Sequence, residues 1–305
     1  MCGGRSTASP KPCKKAQVLE PGSNMGSGVV LAVLAAALMH ASWNALIRGA
    51  PDKRQYTILM HTCAALLAAV GLCFTGWPSG DSAPFIAASA VLHWAYIALL
   101  MRIYDGGQLA VGYVAMRGLA PLLVALVSVF VLNESLSAWA WLGVAAILAG
   151  VLTIAAFSGQ PLALLVRHRS GRAALLNAGL IAAYTLLDGQ GVRLSGNPLA
   201  YVFTLVLLDP LVVLTLQLRR NPAALLAYAR RHWALGFLGA SISTGAYGIV
   251  LWAMTQAPIA VVAALRESSV VFAVLIGSLW FKEGRLKPGL LAALSVALGV
   301  MLLKG

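Results

Sequence analysis

Residues 117–150 read RGLAPLLVALVSVFVLNESLSAWAWLGVAAILAG, and residues 266–299 read RESSVVFAVLIGSLWFKEGRLKPGLLAALSVALG. Slid over one another without gaps, they align Arg117 with Arg266, Glu134 with Glu283 and Gly150 with Gly299. Few other identities occur, so the match lies in which residues coincide and at what depth. Each Arg stands inside an apolar run, where a charge costs roughly 2.5–3.5 kcal/mol to insert into a bilayer. A chain that keeps such a charge twice reads as a duplicated membrane machine with a polar interior.

Composition narrows the class further. Sixty per cent of the residues are apolar and 10% are charged. A bilayer-spanning helix needs about 20 mostly apolar residues. Ten stretches qualify, near 28–47, 57–76, 84–103, 108–132, 138–157, 173–192, 199–218, 233–254, 258–281 and 288–303. Strand alternation is absent, which argues against a β-barrel. The expected fold is an all-α polytopic membrane protein with ten transmembrane helices.

The net charge of +13 is not gathered on one soluble face, so nucleic-acid binding drops out. Loops after odd-numbered spans hold 14 basic residues, from Arg48 to Lys287, while the other loops and the C-terminus hold Arg193 and Lys304. Positive charge marks the cytoplasmic side, which puts the odd loops in the cytoplasm and both termini outside, in a chain of the cytoplasmic membrane. Residues 1–24 disagree, because Arg5, Lys11, Lys14 and Lys15 would pull the N-terminus inward. That stretch is too polar to fold and reads as a disordered extension, either a cytoplasmic tail or a mis-assigned start ahead of Met25. It has no signal-peptide core, and the first span reads as an uncleaved anchor. Cys63 and Cys73, ten apart in the second span, have neither CxxC spacing nor a His at metal-ligand spacing, and read as apolar filler.

The apolar pattern breaks at SGQPLALLVRHRSGR, residues 158–172, dividing the chain into halves 25–157 and 172–305. With five spans in each, the second half must insert upside-down relative to the first. Two inverted five-helix repeats result, an arrangement that puts binding sites near the midplane at the repeat interface.

Residues 120–154, APLLVALVSVFVLNESLSAWAWLGVAAILAGVLTI, resemble the end of the five-helix unit of EamA-type transporters in the drug/metabolite transporter superfamily. Pro121, Glu134, Gly143 and Gly150 match that unit's pattern. The second copy, residues 268–302, keeps Glu283 and Gly299 but has Val270 in place of the proline and Ala292 in place of the first glycine. The resemblance covers nearly everything after Met25. It implies ten helices, a central cavity and alternating-access movement of small metabolites or drugs, with efflux favoured over uptake.

Candidate site residues follow from the cost of burying charge. Arg117 and Arg266 occupy equivalent depths in inverted halves and should approach one pseudo-two-fold axis. Glu267, Asp188 and Asp209 are the carboxylates inside spans. Neighbouring helical residues point about 100° apart, so Arg266 and Glu267 should not pair; Arg117 with Glu267, and Arg266 with Asp188 or Asp209, are the economical pairings. A buried structural ion network is the competing reading. Asp209 precedes Pro210, which should kink the seventh span. His40, Trp43 and Asn44 share one face of the first span, equally fit for an interhelical hydrogen bond or a ligand. Tyr113 stands one turn before Arg117, and His93 shares a stripe with Tyr96. Glu134 and Glu283 read first as carboxylates capping the helices that follow them. The stripes Gly143, Ala146, Gly150 and Gly289, Ala293, Ala297 suit helix packing within the chain or in a homodimer.

The motifs HExxH, GxSxG and the Walker lysine loop are absent. The expectation is a non-enzymatic secondary transporter without metal or other cofactor, driven by protons and working outward. Its cargo would be a small polar, zwitterionic or anionic metabolite, because two inward Arg residues face it. The alternatives are a flippase for lipid-linked sugar or polyprenyl phosphate, and an integral-membrane enzyme or scaffold whose polar residues only hold helices together.

Overall fold

The structure is a computed structural model that describes residues 26–105, 109–156, 169–280 and 286–303, with side chains described except at 100–118, 154–156, 169–170 and 286–289. Regular structure among the described residues is helical: α1 (Ser27–Gly49), α2 (Lys53–Thr75), a 3-10 turn (Gly80–Ser82), α3 (Ala83–Asp105), α4 (Leu109–Phe130), α5 (Ala138–Ala156) and α6 (Arg169–Leu194), followed by α7 (Pro198–Leu208), α8 (Leu211–Arg220), α9 (Pro222–Met254), α10 (Ile259–Arg266), α11 (Ser269–Trp280) and α12 (Leu286–Leu302). Six stretches, Ser27–Gly49, Lys53–Thr75, Gly80–Leu99, Pro198–Arg220, Pro222–Met254 and Ile259–Trp280, are long and apolar enough to cross a membrane. Leu119–Phe130, Ala138–Thr153 and Leu290–Leu302 are shorter apolar helices.

Helix ends follow local chemistry. The Asp52 carboxylate accepts from Gln55 N at 2.9 Å to start α2, and Asn197 accepts from Leu199 N at 3.1 Å to start α7. Asn221 accepts from Ala224 N at 3.0 Å, with Pro222 in the first helical position of α9. Each cap satisfies an N–H that the first turn leaves without a partner. Gly76 closes α2 at φ 68°, a conformation that glycine takes without penalty.

Two of the expected spans are broken. The seventh divides at Asp209 and Pro210, as the missing proline N–H predicts. The ninth divides at Glu267 and Ser268, where no proline stands. There Glu267 N donates to Ala264 O at 3.0 Å and Ser268 N to Leu265 O at 3.1 Å, so the chain tightens from four-residue to three-residue bonds. The eighth span also differs from expectation. Its helix begins at Pro222 rather than near 233, so Arg230 and Arg231 ride on α9 instead of in a loop.

α10 is apolar all round and is buried from Ile259 to Leu265, as such a helix must be. α3 and α4 pack on α6, α9 and α11 pack on α1, α2 lies along α7 and α9, and α4 meets α10. α5 packs along α12, and small residues permit the approach. A Cβ on Gly299 would fall 2.7 Å from the Gly143 carbonyl oxygen, and one on Gly150 would fall 2.9 Å from the Ala292 carbonyl oxygen. Ser295 Oγ donates across this seam to Ala146 O at 2.7 Å. The glycine stripe of α5 therefore packs within the chain. Large apolar side chains point outward instead, with Phe74 at 85%, Leu279 at 79% and Trp280 at 83% exposure.

Candidate functional site

Asp188, on α6, is fully buried. The Tyr201 hydroxyl of α7 donates to its Oδ1 at 3.0 Å, and the Tyr247 hydroxyl of α9 donates to its Oδ2. Gly191, one turn along α6, leaves the space this needs, since a Cβ there would lie 2.5 Å from the Tyr201 hydroxyl. His93 of α3 completes the group. Its Nδ1 lies 2.9 Å from the Ser89 carbonyl and 3.2 Å from the Ser89 hydroxyl. A carbonyl only accepts, so Nδ1 carries hydrogen and a neutral imidazole keeps Nε2 as its base. The ring stacks on Tyr184 at 4.1 Å and meets Tyr247 edge-on at 6.3 Å, while Tyr96 meets Tyr184 edge-on at 6.0 Å. One carboxylate, one imidazole and several phenols from four helices thus form a polar cluster inside an apolar body.

Asp209 forms a second polar point at the break between α7 and α8. Its Oδ2 lies 3.1 Å from His61 Nδ1 on α2, and its backbone carbonyl accepts from the Trp94 indole of α3 at 3.2 Å. Its Oδ1 is buried without a hydrogen-bond partner among the described residues. His93 acts electrostatically on both Asp188 and Asp209. Neighbours on α3 thus serve both polar points, Trp94 at Asp209 and His93 beside Tyr247 of the Asp188 cluster.

The pairing of Arg266 expected from sequence is not the one found, while that of Arg117 with Glu267 lies outside the described residues. Arg266 does not meet Asp188, which is taken by tyrosines, or Asp209, which is taken by His61. Instead Arg266 Nη2 lies 3.8 Å from Glu267 Oε1. Glu267 is 1% exposed, and Arg266 Nε is buried without a hydrogen-bond partner among the described residues. The side chains of Arg117 and Tyr113, and all of Glu283, lie outside the described residues. On α1, Asn44 Nδ2 donates to the His40 carbonyl of its own helix at 2.7 Å, and His40 meets Trp43 edge-on at 5.0 Å.

Glu134 does not cap the helix that follows it. Ser137 takes that place, with its hydroxyl accepting from Ala140 N at 3.1 Å. Glu134 Oε2 accepts instead from Ile259 N at 2.9 Å, the first residue of α10 in the other half, and also from Ser128 Oγ. Glu134 Oε1 lies 2.7 Å from Arg193 Nη1 at the end of α6. Arg193 in turn donates to the carbonyls of Met254, the last residue of α9, at 2.8 Å and of Ala257, just past it, at 3.0 Å. The carboxylate serves a helix N-terminus and the guanidinium serves a C-terminus, each matching the helix dipole it meets.

Sequence reasoning passed over His61 and Tyr201. His61 carried the signal already used for Arg117, an ionisable group within an apolar run. Tyr201 stands near a span start, a position usually read as an interfacial anchor.

No family model and no curated protein matches the chain. Twenty-seven solved chains resemble it. One, described only as "Crystal structure of protein", superposes with a TM-score of 0.67 at 16% identity, covering 90% of this chain and 96% of that one. At that identity the likeness speaks to the fold alone.

Proposed function

We propose that the chain is a ten-span secondary transporter of the EamA type, built from two inverted five-helix repeats, that exports a small polar, zwitterionic or anionic metabolite across the cytoplasmic membrane in exchange for protons. The observation that carries this reading is the buried Asp188 cluster within a body whose exterior is apolar. A carboxylate held by Tyr201 and Tyr247 in the apolar core, with an imidazole on the next helix, is expensive to bury. It is the arrangement that proton coupling needs. His93 can take a proton at Nε2 and packs on Tyr247 of the Asp188 cluster, so a proton can pass within this cluster as the helices move.

The packing supports the repeat reading. Exchanging each span with the one five places on leaves the neighbour pattern nearly unchanged: α3 and α4 on α6 become α9 and α11 on α1, while α5 with α12 and α2 with α7 map onto themselves. The breaks at Asp209 and Glu267 favour a site lined by interrupted helices, since irregular backbone at membrane depth occurs where it lines a cavity or is buried in protein. Arg266, and Arg117 at the matching position, favour a cargo that carries a carboxylate.

The test is an export or metabolite-resistance screen in cells over-producing the protein, followed by flux measurements in proteoliposomes. Flux should collapse with an uncoupler, and Asp188→Asn should retain binding and downhill exchange while losing proton-driven accumulation. Arg266→Gln should weaken cargo affinity. Folded Arg117→Gln and Arg266→Gln variants that leave every flux unchanged would refute the cargo site. An Asp188→Asn variant that still accumulates cargo against its gradient would refute the coupling.

A further inference from the structure

An apolar groove of about 210 Å³ opens on the outside of the helix body between α2, α8 and α9. Leu59, Thr62, Leu218, Leu225, Leu226 and Ala229 line it. Leu218 and Leu226 are about half exposed, at 49% and 55%. The groove lies at the most basic end of the described structure. Arg219 and Arg220 follow Leu218 directly, Arg230 follows Ala229, and Arg231 comes next; all four are exposed. The start of α2 lies alongside, since the Tyr56 hydroxyl donates to the Leu235 carbonyl at 2.9 Å, and it adds exposed Lys53 and Arg54. Asp52, capping α2, is the acidic side chain among these residues.

Five of these cations against one carboxylate at the rim of an apolar groove have a complementary partner of definite chemistry, while Arg231, two residues past Ala229, falls on the far side of α9. That partner carries a phosphate at one end and hydrocarbon at the other. We infer that this groove binds an anionic phospholipid, with the acyl chain along Leu59, Leu225 and Leu226 and the phosphate among Arg219, Arg220 and Arg230. The inference rests on the membrane reading above, though not on transport. Clustered Lys and Arg next to a membrane helix attract anionic lipid, and guanidinium groups hold phosphate oxygens two at a time. Leu226 and Arg230 are four residues apart on α9 and so share a face, which places a cation directly above the apolar lining.

The full chain, purified in a neutral detergent, would be titrated with phosphatidylglycerol, with phosphatidylcholine and with glycerol phosphate, and bound adducts counted by native mass spectrometry. Phosphatidylglycerol should bind in preference to phosphatidylcholine, and Arg219→Gln with Arg230→Gln should weaken it roughly thirtyfold. Ala229→Leu, which fills the groove, should lower binding while leaving the arginines in place. Arg219 and Arg230 are exposed, so the fold should survive their exchange, and Ala229 is half-buried at the groove wall, so thermal unfolding of its variant checks that the fold is kept. Equal binding of the two lipids would overturn the site and leave the membrane reading standing. Glycerol phosphate binding as tightly as the lipid would overturn the role of the groove. Failure of both lipids, together with a chain that stays monodisperse without detergent, would overturn the lipid site and the membrane reading together.

Discussion

Pro121 sits inside α4, which runs without interruption from Leu109 to Phe130, whereas the stretch matched to it, with Val270 in the proline's place, is broken into α10 and α11. The half that has the helix breaker keeps its helix. The half that lacks it bends at Glu267 and Ser268, one turn before the matched position. Proline is therefore not what interrupts this element. The bend coincides with buried polar side chains instead: Glu267 at 1%, Ser268 at 2% and Ser269 at 1% exposure. A similar contrast holds elsewhere at the same offset of 149 positions, where Arg193 matches Asn44. Arg193 ties α6 to Glu134 and to two carbonyls at and just past the end of α9, whereas Asn44 donates within its own helix. Positions matched by sequence here carry different polar chemistry.

The largest expected effect lies at the bend. Glu267→Ala leaves the Arg266 guanidinium buried beside a neutral methyl group, and should cost about 3–5 kcal/mol of stability. Thermal unfolding in detergent measures it. A loss below about 1 kcal/mol, the size of an exposed ion pair, would mean that the charge at the bend is already compensated without Glu267.

Next comes the tie between halves. Arg193→Gln removes the ion pair and leaves Glu134 Oε1 without its cation, while Oε2 keeps Ile259 N and Ser128 Oγ. The expected loss is about 2–3 kcal/mol. Arg193→Lys should recover only part of it, because one ammonium cannot reach Glu134 and both carbonyls together. Exchanging the two charges should fail to rescue: a carboxylate at position 193 would face the carbonyls of Met254 and Ala257, and a cation at 134 would face the N–H of Ile259. Asn44→Ala, at the matched position, should cost about 1 kcal/mol or less. Equal losses at 193 and 44 would erase the contrast.

How much of this was legible beforehand depended on the range of the interaction. The break at Pro210 was readable because proline removes a donor wherever it stands. The bend at Glu267 was not, since serines and a glutamate bend a helix only when buried against particular neighbours. Glu134 was rightly seen to favour a helix N-terminus. Its partner, Ile259, lies 125 positions away in the other half, and nothing local distinguishes that N-terminus from the nearer one that Ser137 serves. Arg230 and Arg231 were placed in a loop because positive charge marks loops, while Asn221 and Pro222, a cap and a first-turn residue, carried the better signal. Asp188 and Asp209 stood out as charges inside apolar runs. Their partners Tyr201 and His61 did not, because neutral polar side chains cost less to bury and so leave a fainter mark in the pattern.

The α5–α12 seam offers a smaller effect. Gly299→Ala would set a methyl group 2.6 Å from Ile147 Cγ1 and 2.7 Å from the Gly143 carbonyl. Ile147 can turn, but the carbonyl is backbone, so the helices must separate. The expected cost is about 1–3 kcal/mol, again by thermal unfolding. Ala292 already occupies the position matched to Gly143, so Gly143→Ala tests whether the seam is symmetric. Gly150→Ala, at the position matched to 299, supplies the comparison, and unequal losses at 150 and 299 would show that it is not.

The smallest effect is the sharpest test of the opening contrast. Val270 is the second residue of α11, and its N–H donates to the Glu267 carbonyl at 3.0 Å within the bend. If α10 and α11 are separate helices, proline at 270 falls in a first turn, where it is tolerated, and Val270→Pro should cost only about 1 kcal/mol for the lost bond. If they are instead one helix, the same change falls in an interior and should cost about 3 kcal/mol or more. Val274→Pro, one turn further along α11, is interior on either view and supplies the reference. Equal losses at 270 and 274 would make the ninth span continuous. The difference between Pro121 and Val270 would then be one of sequence without a difference of shape.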